Sequence, residues 1–147
     1  MRVLHINAVY KQYSTGRSLM ELDKDLNADG VESYCACSRA YGCENVYQIG
    51  NEMSIKAHAF MSRLTGMQGY FSKGSTKKLI DYIDGIAPDV VHLHNLHANY
   101  INLLMLLEYL AKKDIPTVIS LYDCWFFTGK CMHYTTEGCY KWETLCH

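Results

Sequence analysis

Apolar residues along this chain fall into two patterns: short continuous runs, and longer stretches with helical spacing. Val3, Leu4 and Ile6 form the first run and predict a buried strand over Arg2–Asn7. Ser18 and Glu21 then fit a capping box, Leu19, Leu22 and Leu26 recur at helical spacing, and Gly30 supplies a stop. Val31–Ser38 reads as the next strand and Ile55–Thr65 as a helix. Gly66–Gly74 is a glycine-punctuated loop. A clearer helix runs from Thr76 through Leu79, Ile80, Ile83 and Ile86 until Pro88-Asp89 breaks it, and Val90–Leu93 is a short strand. Tyr100–Lys112 is so apolar that its helix must be well buried, and Ile115-Pro116 leads into a strand over Thr117–Leu121.

The order β-α-β-α-α-β-α-β calls for right-handed crossovers, hence an α/β fold of Rossmann-like kind: a parallel sheet with helices on both faces. Val3–Ile6, Val90–Leu93 and Val118–Leu121 are expected as its central strands, since strands covered on both faces lose their alternation. No repeat or shift in composition marks a second domain within residues 1–147.

Composition narrows the function classes. A net charge of −1 provides no basic stripe for phosphates, which argues against nucleic acid as a partner. The first residues turn polar too soon for a signal peptide, and no apolar run approaches the ~20 residues that cross a bilayer. A cytoplasmic protein is expected. Seven cysteines without a secretion signal favour reduced thiols or metal ligands over disulfides.

Four segments could carry chemistry. Gly16, followed by Arg17, lies between the first strand and helix, where backbone N–H groups can approach a phosphate; a lone glycine is equally an ordinary turn. His92-Leu-His94-Asn95-Leu-His97 stands at a strand's carboxyl end. It partly matches a metallohydrolase His-x-His-x-Asp-His run, but Leu96 occupies the Asp position, so ligand contact by His94 and His97 is the better reading. Cys131, His133, Cys139 and Cys146 offer zinc-ligand chemistry at irregular spacing, or are half-buried loop residues. Finally, Tyr122-Asp123-Cys124-Trp125-Phe126-Phe127 follows a strand with a carboxylate and three consecutive aromatics, which either close the core or line a cleft.

Together these residues resemble the amino-terminal half of bacterial family-4 glycosyltransferases, the GT-B-fold enzymes of capsule, exopolysaccharide and O-antigen assembly. The likeness rests on Ala87-Pro-Asp-Val-Val-His-Leu-His-Asn-Leu-His97, on Ser120-Leu-Tyr-Asp-Cys-Trp-Phe-Phe-Thr-Gly-Lys-Cys131, and on Gly138-Cys139 with Trp142 and Cys146. It implies two Rossmann-like domains facing across a cleft, and a retaining transfer from a nucleotide-sugar donor to a saccharide or lipid-linked acceptor. By position, Gly16 and Arg17 would meet the donor phosphates. His94, Asn95, His97 and Trp125 would face the acceptor, and Tyr122 and Asp123 would stand at the reacting sugar. No cofactor is implied for catalysis. Peripheral attachment at the inner face of the membrane is compatible with the resemblance.

Three departures qualify it. Tyr122 occupies the family's histidine position, and a phenol titrating near ~10 cannot replace imidazole near neutral pH. The family continues Gly-Cys-x-x-Cys-Pro, whereas this chain reads Leu145-Cys146-His147, so residues 122–147 form an incomplete cysteine-rich loop and a structural zinc there would lack its fourth thiolate. The donor-binding domain is not within these residues. The expectation is a chain that transfers no sugar alone; a non-catalytic saccharide- or partner-binding module is the alternative.

Overall fold

The computed structural model describes residues 1–129, 131–136 and 138–144. Its strands are β1 (Arg2–Val9), β2 (Glu32–Arg39), β3 (Val46–Gln48), β4 (Val90–Leu93) and β5 (Thr117–Ile119). They form one five-stranded sheet in the order β3-β2-β1-β4-β5, and every pairing is parallel. The helices are α1 (Tyr13–Ala28), α2 (Glu52–Thr65), α3 (Lys73–Ile86), α4 (Leu103–Lys112) and the short α5 (Trp125–Thr128), followed by a 3₁₀ turn at Lys141–Glu143.

The two sheet faces differ in character. Leu4, Ile6, Ala36, Val91 and Leu93 point to one side and pack against Ile55 of α2, Leu79 and Ile83 of α3, and Leu106 and Leu110 of α4. Truncating a fully buried leucine such as Leu79 to alanine would cost about 2–5 kcal/mol, the range for a cavity in a packed core. On the other side Leu19 of α1 covers Cys35, Cys37 and Ala40. Along that same face the register sets Cys35, His5, His92 and Val118 side by side across β2, β1, β4 and β5. The sheet is therefore greasy on one side and, over β1 and β4, imidazole-lined on the other.

Capping fixes where the helices begin. Asn51 and Ser54 exchange side-chain and backbone bonds in a capping box at α2. Asn102 caps α4 by accepting from the Met105 N–H at 2.9 Å, and its own N–H donates to buried Thr76 of α3 at 2.7 Å.

Several expectations are corrected. The first helix starts at Tyr13, so Ser18 is an interior residue, Ser18 and Glu21 form no capping box, and Gln12 caps without a side-chain bond. Gly16 consequently sits inside α1 and not in a loop. A Cβ there would stand 3.1 Å from Val9 Cγ2 and 3.3 Å from the Lys11 nitrogen, so glycine lets the first turn lie close against the end of β1. The run at Val118–Leu121 is not central. β5 ends at Ile119, pairs with β4, and all three of its residues are exposed. Continuous β-branched character suggested two covered faces, but among the described residues no strand pairs with its outer side. Tyr100 and Ile101 are buried yet precede the helix, and the short β3 carried no strand signal of its own.

Candidate functional site

The chain leaves β1 through α1 towards β2 on one side, and reaches β4 on the other side through α2 and α3. That reversal puts a crevice at the carboxyl ends of β1 and β4, where open parallel sheets hold their ligands. An open cleft of about 640 Å³ lies there, lined by Val9, Tyr13, Ser14, Thr15 and Arg39 on one wall and by Asn95, His97, Tyr122, Asp123, Met132 and His133 on the other.

Loop geometry across the crevice follows from Asn7. Its side-chain N–H donates to the Val9 carbonyl at 2.9 Å, and its Oδ1 accepts from the Asn95 N–H at 3.1 Å. One amide thus ties the end of β1 to the loop after β4. Tyr100, fully buried, donates its hydroxyl to the Asn95 carbonyl at 2.9 Å from below. Asn95 is held on both sides.

His97 and Asp123 meet at the cleft wall, Nε2 to Oδ2 at 2.8 Å, with side chains only 19% and 13% exposed. The other carboxylate oxygen accepts from the Trp125 N–H at 2.9 Å, so Asp123 also caps the turn into α5. Trp125 is buried, stands 5.8 Å from the His97 ring, and donates from its indole to Gln68 Oε1 at 2.7 Å. It backs the imidazole and does not line the cleft. In the neutral ring with Nε2 donating to the carboxylate, Nδ1 is the acceptor.

Tyr122 does reach the cleft, and its hydroxyl shares a hydrogen bond with His94 Nδ1 at 2.9 Å. His94 is buried, and its Nε2 lies 3.2 Å from Nδ1 of buried His5. His92 bonds Ser120 Oγ through Nε2 at 2.8 Å. Burial pushes His94 down to about 3, with His92 and His5 adding repulsion. Burial and then His92 push His5 down to about 4, partly offset by Asp23. His92 is lowered by burial as well. All three imidazoles are neutral near pH 7. Burial raises the Tyr122 phenol, so it stays protonated.

The cleft brings together Asn95, His97, Tyr122, Asp123 and His133, while His94 lies beneath Tyr122. Gly16 is buried behind the Ser14–Thr15 wall, and exposed Arg17 is not part of that wall. Cys131 and Cys139 are free half-buried thiols; Cys146 lies outside the described residues. Among the described residues the one group of three or more metal-capable side chains is His5, His92 and His94. His5, Asn7, Ser120 and Arg39 were missed by sequence reasoning. For His5 and Asn7 a signal existed: polar residues two apart within an apolar strand mark one face as unlike the other.

No helix among the described residues is long and apolar enough to cross a membrane. No protein-family profile matches the chain, and no solved structure matches it. One curated protein does: an Escherichia coli K12 protein assigned as the colanic acid biosynthesis glycosyl transferase WcaC, 36% identical over 64 residues. The matched stretch is 40% of this chain and 15% of that protein, so the chain spans only a small part of its relative's length. The parallel α/β sheet and this partial match together give the chain a glycosyltransferase-like relationship.

Proposed function

We propose that the chain is the acceptor-side, amino-terminal domain of a retaining glycosyltransferase of surface polysaccharide synthesis, of family-4 and GT-B type. The observation that carries this reading is the His97–Asp123 pair, facing a cleft at the sheet's carboxyl edge. An imidazole oriented by a carboxylate, with a free acceptor nitrogen, suits a saccharide hydroxyl: it accepts the hydroxyl hydrogen and aims the oxygen at the reacting carbon. Tyr13, 70% exposed, and Met132 offer apolar surface for the face of a sugar ring. Asn95 and the Tyr122 hydroxyl add directional polar contacts.

The donor's diphosphate would approach the first turn of α1, where Ser14 and Thr15 line the cleft and Gly16 keeps the turn close to β1. Arg17 on the exposed side of that turn supplies positive charge. Transition-state contacts would be divided between this domain and a donor-binding one, so the chain by itself binds saccharide without transferring sugar. Such an enzyme would work on cytoplasmic nucleotide-sugars, at or near the inner face of the membrane when its acceptor is lipid-linked. The cysteine-rich segment with Cys131, His133, Cys139 and Cys146 would bind a structural zinc weakly.

Saturation-transfer NMR of the 147-residue chain against a panel of bacterial surface oligosaccharides tests the reading. Binding that disappears in His97→Ala, with no turnover of any nucleotide-sugar, is expected. Turnover by the isolated chain, or saccharide contacts away from the cleft, would overturn it. A second reading, a non-catalytic saccharide-binding module, is favoured by the engagement of Tyr122 with His94 at the position where the family carries histidine. Measurable transfer after joining the chain to a donor-binding domain would exclude that module.

A further inference from the structure

His5, His92 and His94 are brought together by strand register, from positions far apart in sequence. His5 and His92 are direct partners on β1 and β4, and His94 follows on the same face. One ring nitrogen from each lies within 4.8 Å of the other two. His5 Nδ1 and His94 Nε2 are 3.2 Å apart. Two imidazoles bound to one tetrahedral zinc, with bonds of about 2.0–2.1 Å, hold their nitrogens about 3.3 Å apart. We propose that this triad is a binding site for a divalent zinc-type cation, distinct from the cysteine-rich segment and independent of whether the chain takes part in sugar transfer.

Three further observations point the same way. First, the outward nitrogens of His92 and His94 are already engaged, on Ser120 Oγ at 2.8 Å and Tyr122 Oη at 2.9 Å. Metal-bound histidines nearly always give their other ring nitrogen such a partner, which fixes the tautomer and the ring plane. The nitrogens left for the metal are then His92 Nδ1, His94 Nε2 and His5 Nδ1. Second, His5 is 1% exposed and its Nε2 has no hydrogen-bond partner. When a cation replaces the proton shared between His5 and His94, that proton has a vacant nitrogen to occupy, so the bond exchange needs no release of a proton to solvent. Third, all three rings are held neutral near pH 7, the form in which imidazole is a ligand.

The donor set selects the cation. Three imidazoles without a carboxylate suit zinc, cobalt, nickel or copper and not calcium or magnesium. His92 is half-buried beside exposed Val118, so the triad lies one strand in from the edge of the sheet. Bound there, the cation clamps β1 to β4 and, through His94, holds Tyr122 at the floor of the cleft.

The test is titration of the chelator-stripped 147-residue chain with Zn²⁺ by calorimetry and with Co²⁺ by absorption, repeated on Cys131→Ser/Cys139→Ser/Cys146→Ser. Expected is one tight equivalent bound by both proteins, any weaker second equivalent of the wild-type chain being lost in the cysteine variant, whose cobalt bands are free of thiolate charge transfer. Affinity should fall at least tenfold in His92→Gln, whose half-buried ring is the safest to replace, and in His5→Phe. X-ray absorption of the wild-type chain loaded with a single equivalent of zinc serves should either variant fail to fold, and only nitrogen and oxygen neighbours are expected. No binding by the folded wild-type chain, sulfur in the first shell, or binding lost with the cysteines and kept without the histidines would each overturn the site.

Discussion

His97 Nε2 meets Asp123 Oδ2 at 2.8 Å, joining the loop after β4 to the loop after β5 across 26 residues of chain. The same carboxylate receives the Trp125 N–H, so one side chain closes the cleft wall and starts α5. Asp123→Ala would leave a half-buried imidazole N–H and a backbone N–H without their acceptor. Loss of a charged acceptor of this kind costs about 1–3 kcal/mol. Urea unfolding should show a lower midpoint of that size, and an unchanged midpoint would mean that the pair contributes nothing to folding.

Tyr122→Phe leaves Nδ1 of buried His94 without its partner. The expected cost is again about 1–3 kcal/mol, the range for a buried polar group left without its partner. Tyr122→His behaves differently: in a protein joined to a donor-binding domain it should raise the rate of transfer. Equal rates for the two side chains would show that this position is not part of the chemistry.

Acid should unfold the chain earlier than its carboxylates alone would require. His94 and His5 titrate at about 3 and about 4 in the folded chain, against 6.5 for a freely solvated histidine. Below pH 6.5 the unfolded chain therefore binds protons that the folded chain refuses, and stability falls as pH falls through that window. By pH 5 the loss is about 2 kcal/mol for each group. Denaturant midpoints measured from about pH 7.5 to about pH 5 should decline steadily, and more shallowly in His94→Gln; a flat profile would contradict the buried neutral imidazoles.

Gly16→Ala sets two effects against each other. Alanine is the better helix residue by roughly 0.5–1 kcal/mol. Its methyl, however, would press on Val9 Cγ2 at 3.1 Å and on backbone atoms of Tyr10 and Lys11 at 3.3 Å, and backbone cannot turn aside. Overpacking of this kind costs about 1–3 kcal/mol, so net destabilisation is expected. A higher melting temperature for the variant would show that α1 can shift away from β1 without penalty.

Much of this architecture can be read before any coordinates. The apolar runs at Val3–Ile6 and Val90–Leu93 place the two strands that flank the crevice, and the helical spacing of Leu79 and Ile83, with Leu110 of the next helix, marks the covered face. The loops after β4 and β5 were legible as chemistry because polar residues crowd a strand's end there. What stayed hidden was partnership. Nothing local says that His5 lies beside His92, because register between strands far apart in sequence is set by the packing of the whole sheet. Nor does a run such as Val118–Leu121 reveal whether a neighbour lies on its outer side. The start of α1 was misjudged for a related reason: a good local cap at Ser18 lost to a helix that begins earlier, where Gly16 permits close contact with β1.

The position of β5 has a consequence for handling the molecule. Val118 is 51% and Ile119 42% exposed on β5, and Leu121 just beyond it is 60% exposed; among the described residues the outer hydrogen-bonding groups of the strand face no other strand. Proteins usually shield such rims with lysines, prolines or bulges, and here Pro116 stands ahead of the strand while the strand itself carries no charge. The rim is thus an adhesive margin. A single charge introduced at Val118 should raise the concentration at which the chain stays monomeric, read by light scattering, while leaving the core around Leu4, Ile6 and Leu93 untouched.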